Sequence, residues 1–267
     1  NRQNLQKYDL PDTPGVYLFR DARYKILYVG KATSLRDRVR SYFANDLINM
    51  RGARIVAMVE RAAKLEWQVC GSVLEALILE ANLIKKHQPP YNVDEKDDKS
   101  WNYVVLTEED FPRVLLVRGR ELFDSIKNGS IGKASPYGIR HQFGPFPQGG
   151  ALKEALKIVR KIFPYRDTCT PYDDQKLKSQ TFKSGRPCFN RQLGLCPGVC
   201  TGDVGKIEYA RTVRHITQLF SGNMRGLKRT LEREMKAAAK SECFEEAARL
   251  RRQILALDHI RDVSLIK

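Results

Sequence analysis

The chain has 267 residues, 42% of them hydrophobic and 29% charged, with a mean hydropathy of −0.46. That is enough for two modest globular domains or one with appendages, and no apolar run nears the roughly 18 residues of a membrane span, so no membrane association and a cytoplasmic location are expected. Lysine and arginine number 47 against 31 acids, a formal net charge of +16, which points to nucleic acid as the polyanionic partner.

The opening Asn1-Arg2-Gln3-Asn4 has no apolar stretch behind it, so no secretory leader is expected. The absent initiator Met suggests a piece of a longer chain. Gly15 to Phe19 and Lys25 to Gly30 read as two strands joined by a turn around Asp21 and Ala22. A helix follows, capped by Thr33 or Ser34, with Leu35, Val39, Tyr42 and Phe43 as its apolar stripe. A second helix runs from about Arg51 to Lys64 with Ile55, Met58, Val59 and Ala62 inward, and the alternation of Leu65, Trp67 and Val69 predicts a third strand. A third helix extends from Ser72 to about His87, stopped by Pro89-Pro90. This β-β-α-α-β-α order makes a small α/β unit over residues 1–96.

Trp101 to Leu106 and Arg113 to Val117 then look like a strand pair in a connecting α/β segment, 97–165, which ends in a basic amphipathic helix from Ala151 to Phe163. A cysteine-bearing module spans 166–204. From Lys206 the chain reads as helical to its end, broken at Ser221-Gly222 and around Ser241-Glu242, making 205–267 a helical region.

Tyr17 and Tyr28 fall on strands that lie side by side, with Lys31 and Arg38 close in sequence. A phenol titrates near ~10 and is a poor base alone; neighbouring cations are expected to lower that value. Arg38 and Tyr42 are four apart and share a helix face. Ser72 and Glu75 form a capping box, giving Glu75 a structural role. Glu80 has none: its helical neighbours Ala76, Leu77, Leu83 and Ile84 are all apolar. A carboxylate there must be neutralised, paired in a buried salt bridge, or bound to a cation. One carboxylate plus waters and substrate phosphate is the common setting of Mg²⁺, and Glu80 is our candidate metal ligand.

Of six cysteines, Cys70 and Cys243 sit alone in apolar periodic segments and are expected as small core residues. Cys188, Cys196 and Cys200 are separated by seven and three residues, with Cys169 upstream. Four thiolates suit an iron–sulfur cluster or a structural zinc site; zinc sites usually show two tight pairs, and only Cys196 and Cys200 are tight here. Between Ala151 and Arg191 stand ten Lys/Arg against four acids, so this module is expected to contact the DNA backbone in a salt-dependent way. Helices over Leu227–Ala239 and Phe244–Leu257 make an αα-hairpin with Met235, Ala238, Phe244, Ala247, Ala248, Leu250 and Ile254 as its apolar contacts. Two helices seldom bury such a stripe alone, so the hairpin is expected to dock on a partner, a self-packed pair being the alternative.

The runs Gly15-Val16-Tyr17, Tyr28-Val29-Gly30-Lys31, Leu35-x-x-Arg38-x-x-x-Tyr42, Glu80-Ala81-Asn82-Leu83-Ile84-Lys85 and Pro90-Tyr91-Asn92, in that order, resemble the GIY-YIG endonuclease family and, more narrowly, its UvrC excinuclease branch. Valine replaces isoleucine in both triplets. Phe143-Gly144-Pro145-Phe146 and the stretch from Arg186 to Cys200 resemble the same family, and Phe244-Glu245-Glu246-Ala247-Ala248-x-x-Arg251 resembles the UVR motif through which the excinuclease proteins UvrB and UvrC associate. Arg252 stands where that motif usually has Asp. The resemblance implies that Tyr28 helps deprotonate the attacking water, with Lys31 favouring the phenolate or orienting the water. Tyr17 and Tyr42 would line the phosphate site, Arg38 would stabilise charge on the scissile phosphate, and Asn92 would support the site. Glu80 would hold one Mg²⁺ or Mn²⁺. Cys169, Cys188, Cys196 and Cys200 would carry an iron–sulfur cluster, 4Fe–4S, rather than Zn²⁺. Phe244, Glu245, Ala247, Ala248 and Arg251 would meet the excinuclease partner UvrB. The expected substrate is damaged double-stranded DNA, incised on the 3′ side of a lesion. The family's RNase H-like half, with its helix-hairpin-helix units, does not figure in this sequence. The competing reading is a non-catalytic DNA-binding scaffold recruited through the hairpin.

Overall fold

Strand β1 (Gly15–Arg20) is the centre of an antiparallel sheet ordered β2-β1-β3, with β2 at Ile26–Ala32 and β3 at Lys64–Val69. Its side chains from Gly15 to Phe19 are all buried, unlike the alternation of a strand with one wet face. Helices α1 (Leu35–Arg40), α2 (Leu47–Arg61) and α3 (Val73–His87) complete the expected β-β-α-α-β-α order. A computed structural model describes residues 8–44, 47–92, 101–128, 138–172 and 186–258.

Local chemistry sets these boundaries. Ser34 accepts the Asp37 N–H to start α1, and the expected last turn, Ser41–Phe43, tightens into a 3₁₀ turn. Helix α2 is broken at Gly52, whose φ of 78° is a left-handed value that glycine tolerates. It ends at Arg61, short of the expected Lys64, because the Ala63 N–H donates to the Arg20 carbonyl (2.8 Å) and draws the chain into β3. Ser72 caps α3 through the Glu75 N–H (3.1 Å), but Glu75 reaches back to the Gly71 N–H (2.7 Å), one residue earlier than a capping box requires. Gln88, left-handed, closes α3 before Pro89.

Asn1–Asp98, Gly144–Leu152 and Leu257–Lys267 form one compact unit, and Lys99–Phe143 with Lys153–Ala256 a second. The expected strand pair appears as β4 (Asn102–Thr107) and β5 (Val114–Arg118), in a sheet ordered β5-β4-β6. Strand β6 (Ile139–Phe146) and helix α4 (Gly119–Asn128) have no counterpart in the sequence reading. Helices α5 (Gly149–Ile162), α6 (Phe189–Gln192), α7 (Lys206–Phe220), α8 (Met224–Lys240) and α9 (Phe244–Asp258) follow.

Arg166, fully buried, fastens the second unit: it donates to Glu109 (2.8 Å), to the Phe111 carbonyl and to the Cys169 carbonyl (2.5 Å). Tyr209 from α7 accepts the Arg166 N–H (3.0 Å) and donates to the Pro112 carbonyl (2.7 Å).

The hairpin α8–α9 is not free-standing. Arg211 of α7 pairs with Glu246 (2.8 Å), Gln253 donates to the Ile162 carbonyl (2.8 Å), and Leu250 is buried. Part of the stripe expected to need a partner is therefore covered by this chain itself. Cys70 is buried as expected, whereas Cys243 is exposed, against expectation. It lies in the turn between the helices, where Glu242 is left-handed (φ 59°), and not on a helix face.

Candidate active site

The register of β1 with β2 places Tyr17 opposite Gly30 and Phe19 opposite Tyr28. Tyr42, from the 3₁₀ turn, closes on both: ring centroids lie 5.7 Å apart for Tyr17–Tyr42 and 6.2 Å for Tyr28–Tyr42. The Tyr17 and Tyr42 hydroxyls hydrogen-bond at 2.7 Å, and Arg38 Nε donates to the Tyr17 hydroxyl at 3.4 Å. Tyr17 and Tyr42 are fully buried and Tyr28 half-buried. Of the three phenols, Tyr28 is the one that reaches solvent.

The expectation that cations lower the phenols' pKa is overturned. Burial pushes all three above the ordinary tyrosine range, and Arg38, pulling downward, does not offset it. Tyr28 is raised further by Tyr17 and by the negative charge of Glu80.

Glu80 is 7% exposed. Its Oε1 accepts the Lys31 N–H (3.0 Å), and its Oε2 lies 3.4 Å from Lys31 Nζ. The buried ion pair, weighed on sequence grounds as the alternative to a metal ligand, is thus present. It is loose, however. Charged hydrogen bonds of this kind usually close to about 2.7–2.9 Å, and the Lys31 ammonium makes its short contact, 2.7 Å, with Gln148 Oε1. Burial raises the Glu80 pKa above its usual value, with Lys31 and Arg38 pulling against it. A buried, incompletely compensated carboxylate that belongs to no group of three or more possible protein ligands among the described residues fits a cation that keeps most of its ligands as water and phosphate oxygens.

The side-chain hydrogen bonds of Asn92 go to backbone and not to the phenols. Its Oδ1 accepts the Val29 N–H and its Nδ2 donates to the Val29 carbonyl, both at 2.7 Å, while the Tyr91 N–H donates to the Leu27 carbonyl (3.0 Å). It pairs with the open edge of β2 as another strand would, fixing the backbone between Tyr28 and Gly30.

Some contributors escape the sequence reading. A Cβ on Gly30 would strike the Tyr17 hydroxyl and come within 2.9 Å of Tyr28; one on Gly15 would strike the Gln68 carbonyl and lie 2.7 Å from Leu35. The motif glycines make room for the phenols, a signal available in the triplets themselves. Arg51 stacks on the Tyr42 ring at 4.4 Å and donates to Ser41 Oγ (2.9 Å). Nothing in the local sequence marks Arg51 or Gln148.

In the second unit, the sulfurs of Cys169, Cys188 and Cys200 lie within 4.8 Å of one another. Cys196 falls outside that group; the nearby Cys169 thiol, with the Gly198 and Val199 N–H groups, draws its pKa down to about 6, while Cys196 and burial push Cys169 up. Gly198 is left-handed (φ 97°). The Asn190 carbonyl accepts the Leu195 N–H (2.8 Å) and the Cys196 N–H (3.1 Å), and Arg160 braces Asp167 (2.6 Å) and the Leu195 carbonyl (3.0 Å). Three of the four expected cysteines thus converge, with Cys196 outside their group. The donor set fits either a cluster or zinc.

At the hairpin, Phe244 is 67% exposed, Glu245, Ala248 and Arg251 are exposed or partly so, and Ala247 is half-buried.

A three-stranded sheet carrying Tyr17 and Tyr28, with Tyr42, Arg38 and Glu80 beside them, defines the GIY-YIG class of nuclease domain. Residues 13–93 match the UvrC-like GIY-YIG domain, 101–219 the UvrC/Cho excinuclease middle domain and 226–260 the UvrB/UvrC motif. The chain belongs to the UvrC family. It is 41% identical over 251 residues, 94% of its length, to UvrABC system protein C of Desulforudis audaxviator, and 39% identical over 262 residues, 98% of its length, to that of Acetivibrio thermocellus. It spans 36% and 38% of those two relatives. The N-terminal endonuclease domain of Thermotoga maritima UvrC, solved with magnesium as its catalytic divalent cation, is 40% identical; the match covers 34% of this chain and 94% of that one, with a TM-score of 0.29.

Proposed function

We propose that this chain is a DNA endonuclease that hydrolyses a phosphodiester on the 3′ side of a lesion in damaged double-stranded DNA, within bacterial nucleotide excision repair. The single observation that carries the reading is Glu80: a buried, under-compensated carboxylate beside Tyr28 and within electrostatic reach of Arg38. A Mg²⁺ or Mn²⁺ at Glu80 would supply positive charge against the scissile phosphate and its attacking water.

The chain's own residues do the rest. Tyr28, after losing its own proton to solvent at its exposed edge, accepts the water's proton at its phenolate oxygen. Because the Glu80 charge helps to raise Tyr28, compensating that charge moves the phenol back toward a usable range. Tyr17 and Tyr42 lock each other beneath it. Arg38 balances charge growing on the phosphate. Lys31 releases its loose hold on Glu80 and keeps its bond to Gln148. Asn92 holds the strand that presents Tyr28.

The reading extends to the other segments. The four cysteines hold a 4Fe–4S cluster, with zinc as the alternative; anaerobically purified protein is then brown and contains iron, whereas a colourless zinc protein overturns the cluster. The exposed hairpin tip around Phe244 receives UvrB. The division into 1–96, 97–165, 166–204 and 205–267 and the cytoplasmic location belong to the same reading.

The test is nicking of a lesion-bearing duplex with Mg²⁺ and UvrB, comparing wild type with Glu80→Gln while duplex binding is measured in parallel. Cutting should fall by on the order of 100-fold or more with binding retained. Equal cutting by both proteins removes Glu80 from the chemistry. The Lys31–Glu80 pair favours one second reading, a non-catalytic scaffold, for which both proteins bind and neither cuts.

A further inference from the structure

Helix α8 has two faces of opposite character. Met224, Leu227 and Leu231 are buried, and Glu234 turns inward to His215 of α7 (3.1 Å). At 3.6 residues per turn, Arg225, Arg229, Arg233, Lys236 and Lys240 fall within about 80° of one another, centred opposite that packed face. All five are exposed. None has an ion-pair or hydrogen-bond partner among the described residues, although the same helical region uses Arg211 and Arg249 to pair with Glu246. Glu232 is the acid that flanks the row.

The row runs over about 22 Å, at ~1.5 Å per residue, with a cation every three or four residues, roughly 5–6 Å apart. Such a single-signed ladder costs electrostatic free energy through self-repulsion unless a polyanion meets it. Duplex DNA presents phosphates at high linear density and gains from releasing their counterions. An acidic protein surface would have to match five charges on one straight line.

We infer that the outer face of α8 binds the phosphate backbone of duplex DNA without reading sequence. The hairpin then works on two sides: the apolar tip at Phe244, 67% exposed, faces protein, and the basic flank of α8 holds DNA. The inference extends the proposed function by assigning DNA a surface outside the GIY-YIG unit, and it holds whether or not the chain cuts.

The test is fluorescence anisotropy of the full 267-residue chain with an undamaged duplex, without divalent cation and across a salt series, so that binding is read apart from cleavage. Replacing all five cations by Gln should weaken binding by more than ~10-fold at low salt and make the log K against log[salt] slope shallower by about four to five, ~0.9 for each phosphate no longer neutralised. A charge-matched control neutralises the exposed Arg23, Lys25, Lys86, Arg118 and Arg120 and should change the slope by less than one. A variant that keeps the charge, with the three arginines of the row replaced by Lys and helicity checked by circular dichroism, should bind as wild type. An unchanged slope in the Gln variant overturns the inference. So does an equal loss in the control, which would make the effect one of net charge. Retained DNA binding with lost capture of UvrB would assign the row to the protein partner instead.

Discussion

A glycine and a glutamate show how much of this site is backbone placement and burial. Gly30 lies across from Tyr17, and a methyl group there would occupy the space of the phenol. Gly30→Ala should cost about 1–3 kcal/mol as an overpacking change and depress cutting along with it, measured by chemical denaturation and nicking; full stability would show that the tyrosines repack freely. The ionisation of Glu80 sets the pH response. Its pKa is raised above 4.5, so the ionised form that a cation needs is lost as pH falls through that raised value. The acid limb of the cutting rate should stand above the ordinary carboxylate range, and a limb at or below it would mean that Glu80 is well solvated. Tyr17, Tyr28, Lys31, Arg38 and Tyr42 are legible in the sequence because spacing on strands and a helix brings them near one another, whereas Glu80 reads only as a carboxylate on an apolar helix face and joins them through the family resemblance. The sign of the phenol shift is not: burial, which no spacing rule reports, outweighs the cations. The Lys31–Glu80 pair is foreseen only as one option, since backbone register decides which cation arrives.

Single elements carry their own lessons. Order and type of the first six elements follow from apolar periodicity and from the turn and cap residues between them, short though several are. Boundaries do not, because they depend on particular hydrogen bonds such as that of Ala63 to Arg20. Strand β6 is hidden because its sequence ends in Phe143-Gly144-Pro145-Phe146, punctuation that argues against a strand. Cys243 reads as core because a turn residue inherits the apolar rhythm of its neighbours. In the second unit the decisive element is a buried side chain. Arg166 ties Glu109, Phe111 and Cys169 together with no exposure to solvent. Arg166→Leu should cost about 3 kcal/mol, because Glu109 loses a buried partner while keeping Arg113 at 3.3 Å. A shift under about 0.5 kcal/mol in thermal unfolding would show the residue to be replaceable.

Taken whole, the molecule joins a GIY-YIG unit to a cysteine-bearing, largely helical unit, each braced by its own buried polar groups. The two can be perturbed separately. If the cysteines hold a metal or cluster as proposed, Cys196→Ser should abolish that binding and lower the stability of the second unit, as loss of a folding-coupled site does, while leaving divalent-cation affinity at Glu80 unchanged; metal retained in that variant would exclude Cys196 as a ligand. In the proposed reaction Glu80, resting against Lys31, exchanges that cation for a divalent one. The most direct test is calorimetric titration of the chain with Mn²⁺, for wild type, Glu80→Gln and Lys31→Met. Wild type should bind one ion per chain, Glu80→Gln none at the same concentrations, and Lys31→Met no less than wild type. Binding by Glu80→Gln as tight as by wild type would contradict the exchange.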